Sequence, residues 1–296
     1  VSVTLPIPAP PGSVRGVSLW QAARRRLVHN RAAMGGLVVL IVIGTLAILA
    51  PWLSAHEMDD LFWDRISAPP DIAEGFYFGT DANGRDLFAR TLYGARISLA
   101  VGILASIVSL AIGVTYGATA GFIGGRVDNV MMRVVDILYS LPFIFFVILL
   151  TVFFGRNIFL IFVAIGAVEW LDMARIVRGQ TLALKHREFI EAAYAFGVSR
   201  PAIIRRHIIP NILGPVMVFL TLTVPRVILL ESFLSFLGLG IQEPMTSWGV
   251  LLSDGARDME TAPWALLFPA TFMATTLFAL NFLGDGLRDA LDPKDR

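Results

Sequence analysis

The residues of this chain that could do chemistry are ionisable groups set in apolar sequence. Arg226 and Glu231 stand five residues apart in an otherwise apolar run, so on a helix they occupy divergent faces, and Pro225 removes a backbone donor just before Arg226. Glu169, Asp172 and Arg175 recur at i, i+3 and i+6, the spacing of a local acid–base ladder, and Arg133 with Asp136 repeats it. In hydrocarbon such groups are costly unless paired or wet, so they mark structural ion pairs or a hydrated path. The two ladders suit internal pairing. Arg226 and Glu231 are the candidates for lining a path or meeting a second membrane subunit.

Nucleophilic, redox and metal chemistry have no comparable support. The 296 residues include no cysteine, and His29, His56, His186 and His207 are too scattered for a zinc motif. A phosphate-binding loop needs Gly-Lys followed by Ser or Thr. The two lysines are Lys185, between Leu184 and His186, and Lys294, between Pro293 and Asp295. Any ATP-driven step therefore belongs to another polypeptide, and this chain is expected to have no catalytic residue, metal or cofactor of its own. The string Asp81–Asp86 (DANGRD) is close to a calcium loop but puts Arg85 at the fifth ligand position and Asp86 where glycine is needed. A structured turn is expected there.

A second motif is interfacial rather than catalytic. Between Arg178 and Pro210, Glu188–Phe196 has helical propensity, Gly197 can supply a left-handed cap, and Ser199 with Arg200–Pro201 starts another helix with proline in its first turn. A helix–Gly–helix elbow follows. Small Ala192 and Ala193 would let another surface approach, while Glu191 and the arginines offer polar contacts. The competing reading is an amphipathic hairpin packed on its own bundle.

These groups need a membrane scaffold. The chain is 56% hydrophobic and 16% charged with mean hydropathy +0.70, outside the range of soluble domains. Apolar stretches of membrane-crossing length lie near Ala33–Leu53, Ile97–Gly121, Met131–Phe154, Ile158–Val177, Ile212–Leu237 and Trp264–Leu283. The expected fold is an all-α integral membrane protein with six transmembrane helices. Seventeen of the 24 basic residues fall on the side of the termini, six on the other and Arg226 within a span, which puts both termini in the cytoplasm. The expected order is a cytoplasmic tail and interfacial helix over 1–32, a first span over 33–54 and an acidic external loop over 55–96. A core follows over 97–287 that includes the cytoplasmic segment 178–210, and a cytoplasmic tail closes the chain over 288–296. Gly113, Gly117, Gly121 and Gly125 leave one face of the second span bare, which favours close helix packing. Trp248 and Trp264 fit an interfacial aromatic belt. The Pro-rich opening VSVTLPIPAPPGS carries no functional signal.

Glu191-Ala192-Ala193, then Gly197, then His207, Ile209 and Pro210 resembles the EAA loop of ABC importer membrane subunits, with His207 for the usual isoleucine and Ile209 for leucine. The strings Phe78–Gly102, Phe162–Lys185, Glu231–Gly249 and Gly284–Arg296 extend the likeness to the OppBC family of type I importers from about Leu19 onward. The resemblance implies a half-pore for oligopeptides in the bacterial inner membrane. Its partners would be an OppB-like second permease, OppD-like and OppF-like ATPases that bind ATP and Mg, and an OppA-like periplasmic peptide-binding protein. In that family the EAA loop docks on an ATPase. The alternatives are a dipeptide or nickel permease and, from a different class, an ion-coupled secondary carrier.

Overall fold

The computed structural model describes residues 19–155 and 157–291. The proline-rich opening, Arg15, Arg156 and the last five residues, with Lys294, lie outside them. Helices dominate: α1 Leu19–His29, α2 Arg31–Leu53, α3 Leu87–Ile123, α4 Gly125–Ser140, α5 Phe143–Phe154, α6 Ile158–Leu184, α7 Glu188–Ala195, α8 Arg200–Ile203, α9 Ile209–Phe236, α10 Trp248–Arg257 and α11 Pro263–Leu291. A π-helical turn, Ile204–Ile208, joins α8 to α9.

The apolar runs became helices, but two boundaries moved for local reasons. The second span begins at Leu87, ten residues early, because Asp86 caps it: its carboxylate accepts from the N–H groups of Phe88 at 2.8 Å and Ala89 at 3.4 Å. At 37 residues, α3 is about 55 Å long and overreaches a hydrocarbon core of about 30 Å. The third span is not one helix. Proline at 142 forces Leu141 into extended backbone (φ −75°, ψ 127°), and α4 and α5 meet at a bend of 80°.

Among the described residues four continuous helices are long and apolar enough to cross a bilayer, namely α2, α3, the run Arg200–Phe236 and α11, and the bent pair α4–α5 makes a fifth if it is one span. With 27 residues α6 has the length, but Glu169, Asp172 and Arg175 interrupt its apolar stretch. The six-span expectation therefore rests on counting α6 and the bent pair.

The glycine stripe is used inside the chain. A methyl group built on Gly113 would lie 2.5 Å from Met173, one on Gly117 would overlap the Ala174 carbonyl, and one on Gly121 would lie 2.9 Å from the Arg178 carbonyl, so α3 and α6 touch backbone to backbone. Gly125 does not belong to this stripe. The helix ends at Gly124, whose φ is +72°, and Gly125 opens α4 with nothing near its Cβ direction.

Trp248 is not an interfacial residue either. It is wholly buried, its indole N–H donating to the Thr91 carbonyl at 3.1 Å, whereas half-buried Trp264 donates to the Thr80 carbonyl at 3.3 Å. At the other edge, Pro51 inside α2 leaves the Ala47 carbonyl without its helical donor, and Arg96 of α3 supplies it, with 2.6 Å bonds to the carbonyls of Ala47 and Ile48.

Two substitutions check these contacts. Gly117→Leu should cost about 3 kcal/mol or more and collapse the yield of monodisperse protein in detergent. Arg96→Gln should lower the thermal midpoint, and Pro51→Ala should recover part of the loss, since a backbone N–H at position 51 then reaches Ala47; equal midpoints for the single and double variants would contradict the contact.

Candidate functional site

The elbow forms as its sequence dictates. Gly197 has φ +74°, in the left-handed region that glycine tolerates, and stops α7, and Pro201 lies in the first turn of α8. One face is nailed to the bundle: Ile190, Ala193, Ile203 and Ile208 are buried with Val114, Phe122, Val177 and Ile212 of α3, α6 and α9, and Tyr194 stacks on Phe122. The other face is bare. Glu191, Ala192, Gly197 and Pro210 are exposed, His207 and Ile209 are half-buried, and Phe189 and Phe196 stand out at 43% and 87% exposure.

This corrects one expectation and adds two residues. Ala193 faces the chain's own core and cannot receive another surface. Phe189 and Phe196 were missed, although their places beside the buried Ile190/Ala193 pair put two aromatics on the outward side of a short helix.

The charged groups within the bundle pair between helices, not along them. Arg226 of α9 donates to Asp172 of α6 at 2.9 Å and lies 3.6 Å from Glu169, and Arg175 of α6 donates to Asp136 of α4 at 2.9 Å with its guanidinium over the Tyr139 ring. The local ladders expected for Glu169–Asp172–Arg175 and Arg133–Asp136 are thus replaced by cross-helix bridges; Arg133 is exposed. Closer to the elbow, Arg178 holds Asp128 through two bonds of 2.5 and 2.7 Å. Arg226 borders a cleft of 350 Å³ with Phe143, Glu169, Leu229 and Phe233. With Arg226 53% and Asp136 54% exposed, this face needs water or a polar partner surface, because lipid would solvate neither.

Glu231 proves to be the opposite case. It is fully buried, accepting from Ser235 and Ser247 at 2.7 Å each and from Ser98 at 3.4 Å, and Ser98 in turn accepts from the Trp248 N–H at 3.1 Å. It locks α3, α9 and α10 together and cannot line a path. Ser235, Thr246, Ser247 and Trp248 are buried with it, so the segment Ser235–Trp248 exposes only its middle, including Glu243, Pro244 and Met245.

Beyond α10 the DANGRD string is the expected turn. The Asp81 carboxylate accepts from the N–H groups of Asn83 and Arg85 and from the Arg85 guanidinium, which also holds Glu243 at 2.7 Å. Burial opposes the Arg85 charge, but Glu243 and Asp81 together hold its pKa above the ordinary value. Arg90, fully buried, lies 3.5 Å from Asp81. A recess of 270 Å³ opens here, lined by Asp81, Arg85, Glu243, Asp254 and Asp258, and burial pushes the Asp254 carboxyl above the usual carboxylate range despite Arg90, Arg257 and Arg85. Among the described residues no cluster of His, Asp and Glu is placed to hold a metal.

The sequence pattern of the family described as "Binding-protein-dependent transport system inner membrane component" matches residues 113–296, and that of the "N-terminal TM domain of oligopeptide transport permease C" matches residues 18–70. The oligopeptide transport system permease protein OppC of Escherichia coli (strain K12) is 62% identical over 283 residues, 96% of this chain and 94% of that one. The dipeptide transport system permease protein DppC of Bacillus subtilis (strain 168) is 48% identical over 281 residues, 95% of this chain and 87% of that one. Among solved structures, an inward-facing form of the MetNI methionine ABC transporter superposes with a TM-score of 0.56 at 18% identity, covering 69% of this chain and 96% of that one, which shows a shared fold.

The two charged positions should separate in a melt. Glu231→Leu strands three buried hydroxyls and should cost about 2 kcal/mol or more, whereas Glu231→Gln, which keeps acceptor and shape, should cost less than half of that. Arg226→Ala leaves buried Glu169 without its cation, so adding Glu169→Gln should recover part of its cost and leave that of Glu231→Leu unchanged; no recovery would contradict the Arg226–Glu169 contact.

Proposed function

Because this chain belongs to the family of binding-protein-dependent transport system inner membrane components, with the fold of a type I ABC importer permease, we propose that it forms one half of an oligopeptide import pore driven by separate ATPase subunits. The observation that carries this reading is the elbow with two unlike faces. Its inner face is anchored by Ile190, Ala193, Ile203 and Ile208, and its outer face presents Phe189, Glu191, Ala192 and Phe196. That is a surface built to be held by something outside the chain.

The connectivity supports a coupling role. Only Lys185–Arg187 separate α6 from α7, and the run from Arg200 to Phe236 is nearly continuous helix. A force on the elbow is thus delivered to α6 and α9, and these are the two helices joined by the Asp172–Arg226–Glu169 bridge. ATP-dependent closure of the ATPases would displace the elbow as a body and shift α6 against α9 at that bridge, changing access to the path. A preference of a few kcal/mol for one arrangement suffices. Arg226 keeps its proposed place on the path or at the second permease.

In the full proposal an OppB-like permease completes the pore, OppD-like and OppF-like ATPases bind ATP and Mg, and an OppA-like protein delivers peptide to the external acidic face that includes Glu243 and Asp254. The chain would sit in the inner membrane with both termini cytoplasmic. A dipeptide passenger is the second reading, favoured by the 48% identity to a dipeptide permease.

The test is to tag the chain in its host, extract it in mild detergent and identify stoichiometric partners by mass spectrometry. Two ATPases and a second permease are expected. Gly197→Val, strained at φ +74°, should release the ATPases and abolish peptide uptake, while Gly197→Asn, which tolerates that backbone, should retain both. Arg226→Ala should lower uptake with the complex intact. Recovery of the chain alone as a transport-competent homo-oligomer would overturn the reading in favour of a self-sufficient carrier.

A further inference from the structure

We propose that the groove between α2 and α11 is a binding site for one anionic phospholipid, with an acyl chain in the groove and the phosphate on Arg31. The groove encloses 480 Å³ and is lined by Arg31, Gly35, Val39, Thr275, Phe278 and Phe282. It is apolar except at one end. The two helices run antiparallel, with Gly36 against the Ala279 carbonyl and Ala33 against Gly286, so Arg31 and Phe282 mark the mouth and Val39 and Thr275 the deep end.

The dimensions fit one leaflet. Eight residues of helix from Arg31 to Val39 span about 12 Å, close to half of a hydrocarbon core of about 30 Å. The cation is at the headgroup end and has no ion-pair partner among the described residues. On α1, which precedes it, Arg24, Arg25 and His29 are exposed, and on α11 the exposed charges at this end are Asp285, Arg288 and Asp289.

The glycines supply an independent argument. Gly36 is required internally, since a Cβ there would lie 2.6 Å from the Ala279 oxygen. Gly35 is not: nothing in the chain comes within 4 Å of where its Cβ would point. The bare strip at Gly35 is room for something outside the protein. A furrow one leaflet deep, open to lipid along its length and closed by a guanidinium at headgroup level, matches a phospholipid in shape and charge.

To test it, the full chain with its co-purifying subunits is placed in vesicles of equal parts phosphatidylglycerol and phosphatidylethanolamine, re-extracted, washed with lipid-free detergent and analysed by native mass spectrometry. Retention of one phosphatidylglycerol per chain is expected. Arg31→Gln should lower that retention about fivefold, the weight of one basic group near an anionic surface. Gly35→Leu, which fills the groove and strikes nothing inside the chain, should lower it similarly with the thermal midpoint unchanged. Undiminished retention in both variants, equal retention of phosphatidylethanolamine, or cross-linking of Gly35→Cys to another subunit would overturn the proposal.

Discussion

Close contact at the glycines of α3 is the constraint on which the rest of this structure depends. Without a hydrophobic drive between helices in lipid, association relies on close van der Waals contact, and α3 achieves it by presenting glycine to α6, α9 and α10. Gly94 meets Ser247 and Trp248 at the start of α10, Gly102 meets Ile228 of α9, and Gly113, Gly117 and Gly121 meet α6. Once α6 is seated by Met173, Ala174 and Val177, its Asp172 and Arg175 turn away from α3 and reach α9 and α4. The ion pairs are therefore consequences of the glycine contacts, not the source of the packing.

The two buried acids show how environment divides the same chemistry into different work. Glu231 is enclosed by three hydroxyls and fastens α10 over the N-terminal part of α3 and the C-terminal end of α9. Glu169 is equally hidden, but its cation is Arg226, half exposed beside a cleft and shared with Asp172. Removing Glu231 from the first network leaves three neutral hydroxyls unsatisfied. In the second, two acids share one arginine, so separating α6 from α9 would leave formal charges to be met by water or by whatever occupies the cleft.

Much of this was legible in the sequence because it is local. The elbow follows from Gly197 and Pro201, and the DANGRD turn from short-range hydrogen bonding by Asp81. The composition dictated a helical membrane protein. What was not legible depends on contacts far apart in the chain. Nothing in the spacing of Glu169, Asp172 and Arg175 says that their partners lie on α4 and α9, and the ladder reading took the nearest charges as partners. Trp248 looked interfacial because a tryptophan at a span's end usually is; its burial depends on Thr91 and Ser98, more than a hundred residues earlier. Gly125 fitted a period of four that the helix itself abandons at Gly124.

The proline positions make a related point about where motion can enter. Pro51 in α2 is neutralised: Arg96 reaches across to the carbonyl it frees, which fixes α2 on α3. Pro142 is not neutralised in this way, and the chain turns by 80° there, separating α4, which carries the Asp128 and Asp136 bridges to α6, from the apolar α5. So α4 is tied to α6 by two arginines, α6 is tied to α9 by a third, and both α6 and α9 lead into the elbow. Helices α2 and α11 contact each other outside that set. Among the described residues the ion pairs thus join α4, α6 and α9 into one group continuous with the elbow, and α2 and α11 take no part in them. Under the proposed function, a displacement of the elbow would act first on the helices that border the Arg226 cleft.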